Sequence, residues 1–312
     1  MAKKITVELI RELRERTQAG MGDCKNALEE ADGDMEKAIE NLQKKGRAKS
    51  AKKAGAVATE GEVRALLGES GKVGVIVEVN IQTDFAARND KFKEFVGNVA
   101  TVALASTAGA DLDKATYPGT SKTVAAVRDE LIGTIGEKIT VRRWAKVELS
   151  APCGTVHSYV HMGGKIGVLV EAVASSSAVV SHPEFVKFVD DVAMQIAAMN
   201  PLYVARGDVP AAAAAKQREI YAAQLKEDKK PEQAWAKITE GKLNKWYTEV
   251  CLLDQESVIV SGSSIDKVRA EASKAAGAAI DIKRFVRFER GEGVEKPSGP
   301  DFASEVAKMA GN

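Results

Sequence analysis

Apolar positions in the first 45 residues recur at helical spacing. Leu9, Ile10 and Leu13 mark one stripe, Cys24, Ala27, Leu28 and Ala31 a second, and Met35, Ala38, Ile39 and Leu42 a third. Steps of three and four residues put each set on one helix face. Gly20 and Gly22 separate the first two stripes and Asp32-Gly33-Asp34 the last two, as turn residues do. The pattern predicts a small three-helix module. The stretch that follows, KKGRAKSAKKAGAVATEG, is rich in Lys, Ala and Gly and has no apolar stripe. It predicts a basic, partly helical linker leading to a new domain.

From residue 62 the period falls to two. Glu62–Leu67 and Lys72–Asn80 flank Gly68-Glu-Ser-Gly71, a β-hairpin signal. Helical stripes follow at Phe92, Phe95, Val96 and Val99, then at Val124, Val127, Leu131 and Ile135. KITVRRWAKVEL then alternates, predicting a strand with Ile139, Val141, Arg143, Ala145, Val147 and Leu149 on one face. The whole order recurs. GKVGVIVEV from Gly71 aligns with GKIGVLVEA from Gly164, and FKEFVGNVA from Phe92 with FVKFVDDVA from Phe185, both at an offset of 93. ITVRRWAKVE from Ile139 aligns with IDIKRFVRFE from Ile280 at an offset of 141. The chain therefore carries two copies of one hairpin–helix–helix–strand unit, the second interrupted by about 48 residues between Ala193 and Gly262.

Within that insertion, AAAAAKQREIYAAQL and EQAWAKITEGKLNKWYTEV flank a charged break ending in Pro231. They predict an antiparallel helical hairpin whose Trp235, Ile238 and Trp246 need a partner face. Beyond the breaker KPSGP, Asp301 is the expected N-cap of a short helix with Phe302, Val306 and Met309 along one stripe. The expected fold class is α+β. The expected units are 1–55, 56–150, 151–199 with 249–290, the inserted hairpin at 200–248, and a C-terminal module at 291–312.

Composition narrows the functional classes. The 312 residues carry 45 Lys plus Arg against 44 Asp plus Glu. That balance argues against a surface that clamps nucleic acid throughout, although Lys44–Lys53 is a local basic run. The three cysteines form no C-x-x-C pair, which points to reduced thiols and a cytoplasmic setting; Cys24 reads as a packed thiol. No apolar run is long enough for a membrane span, and the N-terminal stretch has no apolar signal region. Gly68-Glu-Ser-Gly-Lys72 lacks both the spacing and the Ser/Thr of a P-loop. His157, Tyr159 and His161 share a strand face without further ligands at metal spacing, so they read as a polar row or a contact patch. No enzyme chemistry, cofactor or metal is expected.

One loop stands out. In EVNIQTDFAARN (Glu78–Asn89) a strand gives way to a helix, and Thr83-Asp84-Phe85 sit between them. At the offset of 93 the second copy has Ser176-Ser177-Ala178. The same fold therefore closes there without Asp-Phe. Two readings remain open. Asp84 caps the next helix while Phe85 packs over the domain edge, or the pair forms a protruding probe for a partner's groove.

LRERTQAGMGDCKNALEEADGD (Leu13–Asp34) and EVNIQTDFAAR (Glu78–Arg88) resemble the two signature segments of the bacterial translation elongation factor Ts family. The likeness continues through Tyr159-Val-His161, Gly164–Val170, Glu240-Gly-Lys-Leu243 and FVRFERGEG, and so covers essentially the whole chain. The resemblance implies a guanine-nucleotide exchange factor for elongation factor Tu. It implies a ubiquitin-associated-like (UBA-like) first domain, two core subdomains, a coiled-coil hairpin and a C-terminal module. It further implies that Thr83, Asp84, Phe85 and Ala86 displace Mg²⁺ from the partner GTPase, and that Met21, Lys25, His161 and Phe302 touch the partner. Three positions and one segment depart from the family pattern: Gly22 stands for Met, Ile81 for Cys, Ala86 for Val, and Glu256-Ser-Val-Ile for Pro-Phe-Val. Homodimerisation through the inserted hairpin, packing on its own core, and contact with another partner all stay open.

Overall fold

The computed structural model describes residues 5–17, 19–68 and 70–295. Among them the chain is α+β, with ten α-helices and two three-stranded antiparallel sheets. In chain order, the first three helices are α1 (Val7–Thr17), α2 (Met21–Glu30) and α3 (Met35–Lys53). The first copy of the repeat is β1 (Glu60–Leu67), β2 (Val73–Ile81), α4 (Asp84–Ala87), α5 (Asp90–Ala105), α6 (Val124–Ile135) and β3 (Ile139–Glu148). The second begins with β4 (Gly154–His161), β5 (Ile166–Ala174) and α7 (Pro183–Met199). The inserted hairpin α8 (Ala211–Glu227) and α9 (Glu232–Val250) follows, and α10 (Ile265–Ala276) and β6 (Ile280–Glu289) complete the copy. The expected terminal helix lies outside the described residues.

The first three helices close around Leu13, Cys24, Ala27, Leu28 and Ala38, all fully buried. Burial pushes the Cys24 thiol pKa up, consistent with a packed, unreactive group. Asp34 caps α3 by accepting the Lys37 N–H at 3.0 Å. The helix then runs well past Leu42, through the basic stretch to Lys53. This half has no apolar stripe because it docks on backbone. Gly46 lies so close to α6 that a Cβ there would meet the Asp129 carbonyl at 3.3 Å. Ser50 Oγ donates to Asp129 Oδ1 at 2.8 Å, and Lys49 Nζ donates to the Gly133 carbonyl at 3.3 Å.

Each copy folds its three strands around its own middle strand, β2 or β5. One face of the first sheet packs on α5 and α6 through Val75, Val77, Val79, Phe92, Phe95 and Ile132. The second sheet repeats this with α7 and α10. The two remaining sheet faces pack on each other. Val63, Ile76 and Val147 of the first copy meet Val156, Leu169 and Phe288 of the second, the same three positions in each. Two backbone bonds repeat the relation: Val63 N–H donates to Gly164 O, and Val156 N–H to Gly71 O, both at 2.8 Å. The copies are thus related by a pseudo-two-fold axis, like protomers of an isologous dimer.

Gly74 and Gly167 occupy equivalent positions on this seam. A Cβ at Gly167 would sit 2.6 Å from Val63 Cγ1 and 2.9 Å from Ile76 Cδ1, and Val63 and Ile76 are both fully buried. Gly167→Ala is expected to destabilise the fold by about 1–3 kcal/mol through overpacking, read as a lower urea midpoint.

The expected single face of β3 needs correction. Glu78 pairs with Arg143 but Val79 with Val141, leaving Arg142 as a bulge. The bulge reverses the alternation: Ile139 and Val141 face the helices, whereas Ala145, Val147 and Leu149 face the other sheet. In β6 the same irregularity falls around Lys283. Its consequence is chemical. Arg142 Nη1 and Arg143 Nε both bond the fully buried Glu78 carboxylate, at 2.9 and 2.5 Å. Across the seam Arg284 Nε bonds the equally buried Glu171 at 2.7 Å. Each glutamate also accepts a backbone N–H from the segment that follows the other copy's last strand, Gly291 for Glu78 (2.7 Å) and Ser150 for Glu171 (2.6 Å). Arg143 and Arg284 reach in turn to the carbonyls of Glu289 and Glu148.

In the inserted hairpin Leu225 and Leu243 are buried, and the Trp235 indole donates to the Lys230 carbonyl at 2.8 Å. Trp235, Ile238 and Trp246 end half-buried. Segment 256–262 is held by buried Gln195, which donates to Glu256 O at 3.1 Å and accepts from Val258 N–H at 2.9 Å.

Candidate functional site

The loop after β2 forms the single turn α4. Thr83, not Asp84, is its cap: extended at φ −122°, it accepts the Ala86 N–H on Oγ1 at 3.2 Å. Asp84 is thereby left free of the cap and meets Arg88 Nη2 at 2.9 Å. Ala86 and Ala87 pack against the first copy's core, fixing the underside of the turn. Phe85 on the other side is 80% exposed, the most exposed large apolar side chain among the described residues. It does not pack over the domain edge. Leaving such a ring in water forgoes about 1.5–3 kcal/mol of burial.

The turn is anchored from outside its own segment. Glu137, between α6 and β3, takes both polar hydrogens of Thr83: the N–H on Oε2 at 3.0 Å and the hydroxyl on Oε1 at 2.8 Å. Next to it, the Lys138 N–H donates to Gln82 Oε1 at 2.8 Å. The Lys138 ammonium donates to the carbonyls of Ala54 and Ala56, just past α3. One turn of chain thus holds both the loop after β2 and the end of the N-terminal module. In the second copy, Ser176 makes no side-chain cap, Ser177–Val179 is a 3₁₀ turn, and Val179 is buried.

The remaining sequence-derived residues lie on other elements. Met21 opens α2 at 39% exposure, with exposed Lys25 one turn on, 3.7 Å from Glu29. His161 ends β4, exposed, its Nδ1 2.9 Å from the Tyr159 hydroxyl. His157 is engaged elsewhere, with Nε2 3.0 Å from Asp190 Oδ1. Phe302 lies outside the described residues.

A sequence profile described as elongation factor TS matches residues 82–292, from the residue before Thr83 through β6. The chain belongs to the elongation factor Ts family. Elongation factor Ts of Clostridium perfringens strain SM101 is 47% identical over 309 residues, covering 98% of this chain and 99% of its own. Those of Trichlorobacter lovleyi and Clostridium kluyveri are 45% identical over 310 and 46% over 309 residues, each across 98% of this chain. Among the described residues, no helix is long and apolar enough to cross a membrane.

Sequence reasoning missed three carboxylates. Glu78 and Glu171 carried a signal: both interrupt valine-rich strands at the same repeat position. Glu137 carried another, because its counterpart at the offset of 141 is Ala278.

Proposed function

We propose that this chain is a guanine-nucleotide exchange factor: it binds elongation factor Tu carrying GDP, displaces Mg²⁺ and promotes GDP release so that GTP can bind. The observation that carries the reading is Phe85, held out in water on an anchored turn beside Asp84, in only one of two copies that share the same sheet and packing. Thr83, Asp84, Phe85 and Ala86 form the displacing element. Met21, Lys25, His161 and Phe302 supply separate contacts that spread binding over a broad surface.

The physics needs no bond-making group, so the chain acts as an exchange factor rather than an enzyme. Mg²⁺ bridges the diphosphate to protein oxygens of the GTPase and offsets much of its charge. A wedge that shifts the elements holding the metal weakens nucleotide binding. Linkage then makes the effect reciprocal: whatever factor the exchange protein takes from nucleotide affinity, nucleotide takes from its affinity. Incoming GTP therefore expels the factor. The three N-terminal helices act as a UBA-like docking module and the inserted pair as a coiled-coil arm, in a cytoplasmic protein.

The test is a graft. Replacing Thr83-Asp84-Phe85 by the second copy's Ser-Ser-Ala is expected to leave the circular dichroism unchanged and to abolish acceleration of fluorescent GDP release from elongation factor Tu. Full acceleration by the graft would overturn the loop assignment. No acceleration by the wild-type chain would overturn the function.

A further inference from the structure

We infer that Glu137 is a positioning residue for the exchange loop, acting through Thr83. The inference rests on the exchange reading above and adds a residue that the family signatures do not contain. Its basis is a correlation within one molecule. The copy that carries Asp84-Phe85 has a carboxylate at the α6–β3 turn; the copy that carries Ser177-Ala178 has Ala278 at the equivalent place. The second copy closes the same gap without a carboxylate: Ser175 N–H donates to Ala279 O at 2.9 Å, and Ala279 N–H to Ser175 Oγ at 3.1 Å. A carboxylate is therefore not needed to join these segments.

What Glu137 adds is orientation. Its two oxygens take the Thr83 N–H and hydroxyl at 3.0 and 2.8 Å. The hydroxyl hydrogen is thus committed to Glu137, and the same oxygen is left with lone pairs for the Ala86 N–H. The cap therefore has one rotamer, and the four-residue turn it begins has one direction. A helix of one turn has almost no stability of its own. Without the clamp, Phe85 would sample several directions and only a fraction of molecules would present it correctly. Wedging needs the ring held against the resistance of the partner's metal site, so the loss falls on the release step. Initial docking through the other elements is retained.

The experiment uses the full chain and three variants. Glu137→Ala removes both acceptors. Glu137→Gln keeps one oxygen. Glu137→Asp keeps the charge but shortens the reach. For Glu137→Ala the saturating rate of fluorescent GDP release is expected to fall at least about tenfold, as for loss of one charge-assisted hydrogen bond. The half-saturating concentration should stay within about twofold. Glu137→Gln should recover part of the rate. The Thr83 amide should exchange hydrogen faster in Glu137→Ala, with the thermal midpoint little changed. Should Glu137→Ala fold poorly, the comparison rests on the two folded proteins, and Glu137→Gln has to show a lower saturating rate than wild type. An active wild type with unchanged saturating rates in the variants would overturn the inference alone. A change confined to the half-saturating concentration would also overturn it. A wild type without acceleration would overturn the exchange reading and this inference with it.

Discussion

Phe85→Ala is expected to lower the saturating rate of GDP release by about 100-fold, the scale of an aromatic hot spot. The denaturation midpoint of the free chain should not fall. The two halves of this expectation come from one number: at 80% exposure the ring has few neighbours to lose in the free protein. Its absence from the folding balance separates it from an ordinary core phenylalanine, whose truncation removes about 3–5 kcal/mol. The backbone of the turn should survive, since Thr83 caps it and Ala86 and Ala87 seat it without using the ring. A stability loss comparable to a core truncation would show that Phe85 is a structural residue.

Glu78→Ala is expected to act in the opposite way, lowering stability by about 3–5 kcal/mol, as for removal of one partner from a buried ion pair. It leaves Arg142, Arg143, the Asn80 amide and the Gly291 N–H without their shared acceptor. Urea denaturation followed by circular dichroism gives the shift. The acid limb of the stability curve supplies an independent check. Burial alone would raise the carboxyl pKa, but the Gly291 N–H, Arg143, Arg142 and Asn80 outweigh it and hold Glu78 below its ordinary 4.5. Glu171 is held low in the same way, burial being outweighed by Ser150 and Arg284. A carboxyl with a depressed folded pKa contributes stability above the unfolded value and loses it as pH falls through the folded one. Wild type should therefore lose stability on acidification below about 4.5, and Glu78→Gln should lose less over the same window. Equal slopes would contradict the role given to Glu78.

The duplication was legible in the sequence because two constant offsets carry whole strings of residues, and the sheet registers repeat at those offsets. The singularity of the exposed loop was legible for the same reason: Ser176-Ser177-Ala178 served as a control for Thr83-Asp84-Phe85. Features that depend on backbone were not legible. α3 continues to Lys53 through a face of Gly and Ser, which leaves no apolar stripe to read. The bulge at Arg142 hides inside an alternation that looks unbroken, since apolar residues stand at 139, 141, 145, 147 and 149 whichever face they take. The cap fell on Thr83 rather than Asp84, a difference of one residue between two good capping types. Glu137 lies 54 residues from Thr83, and no local pattern joins them.

Exchange activity is read most directly from the rate at which fluorescent GDP leaves elongation factor Tu, in the presence of Mg²⁺, as the concentration of the wild-type chain is raised. That rate should climb at least about 100-fold and saturate, as expected of differential binding to the nucleotide-free partner. A rate that stays at the spontaneous value at every concentration would show that the chain is not an exchange factor.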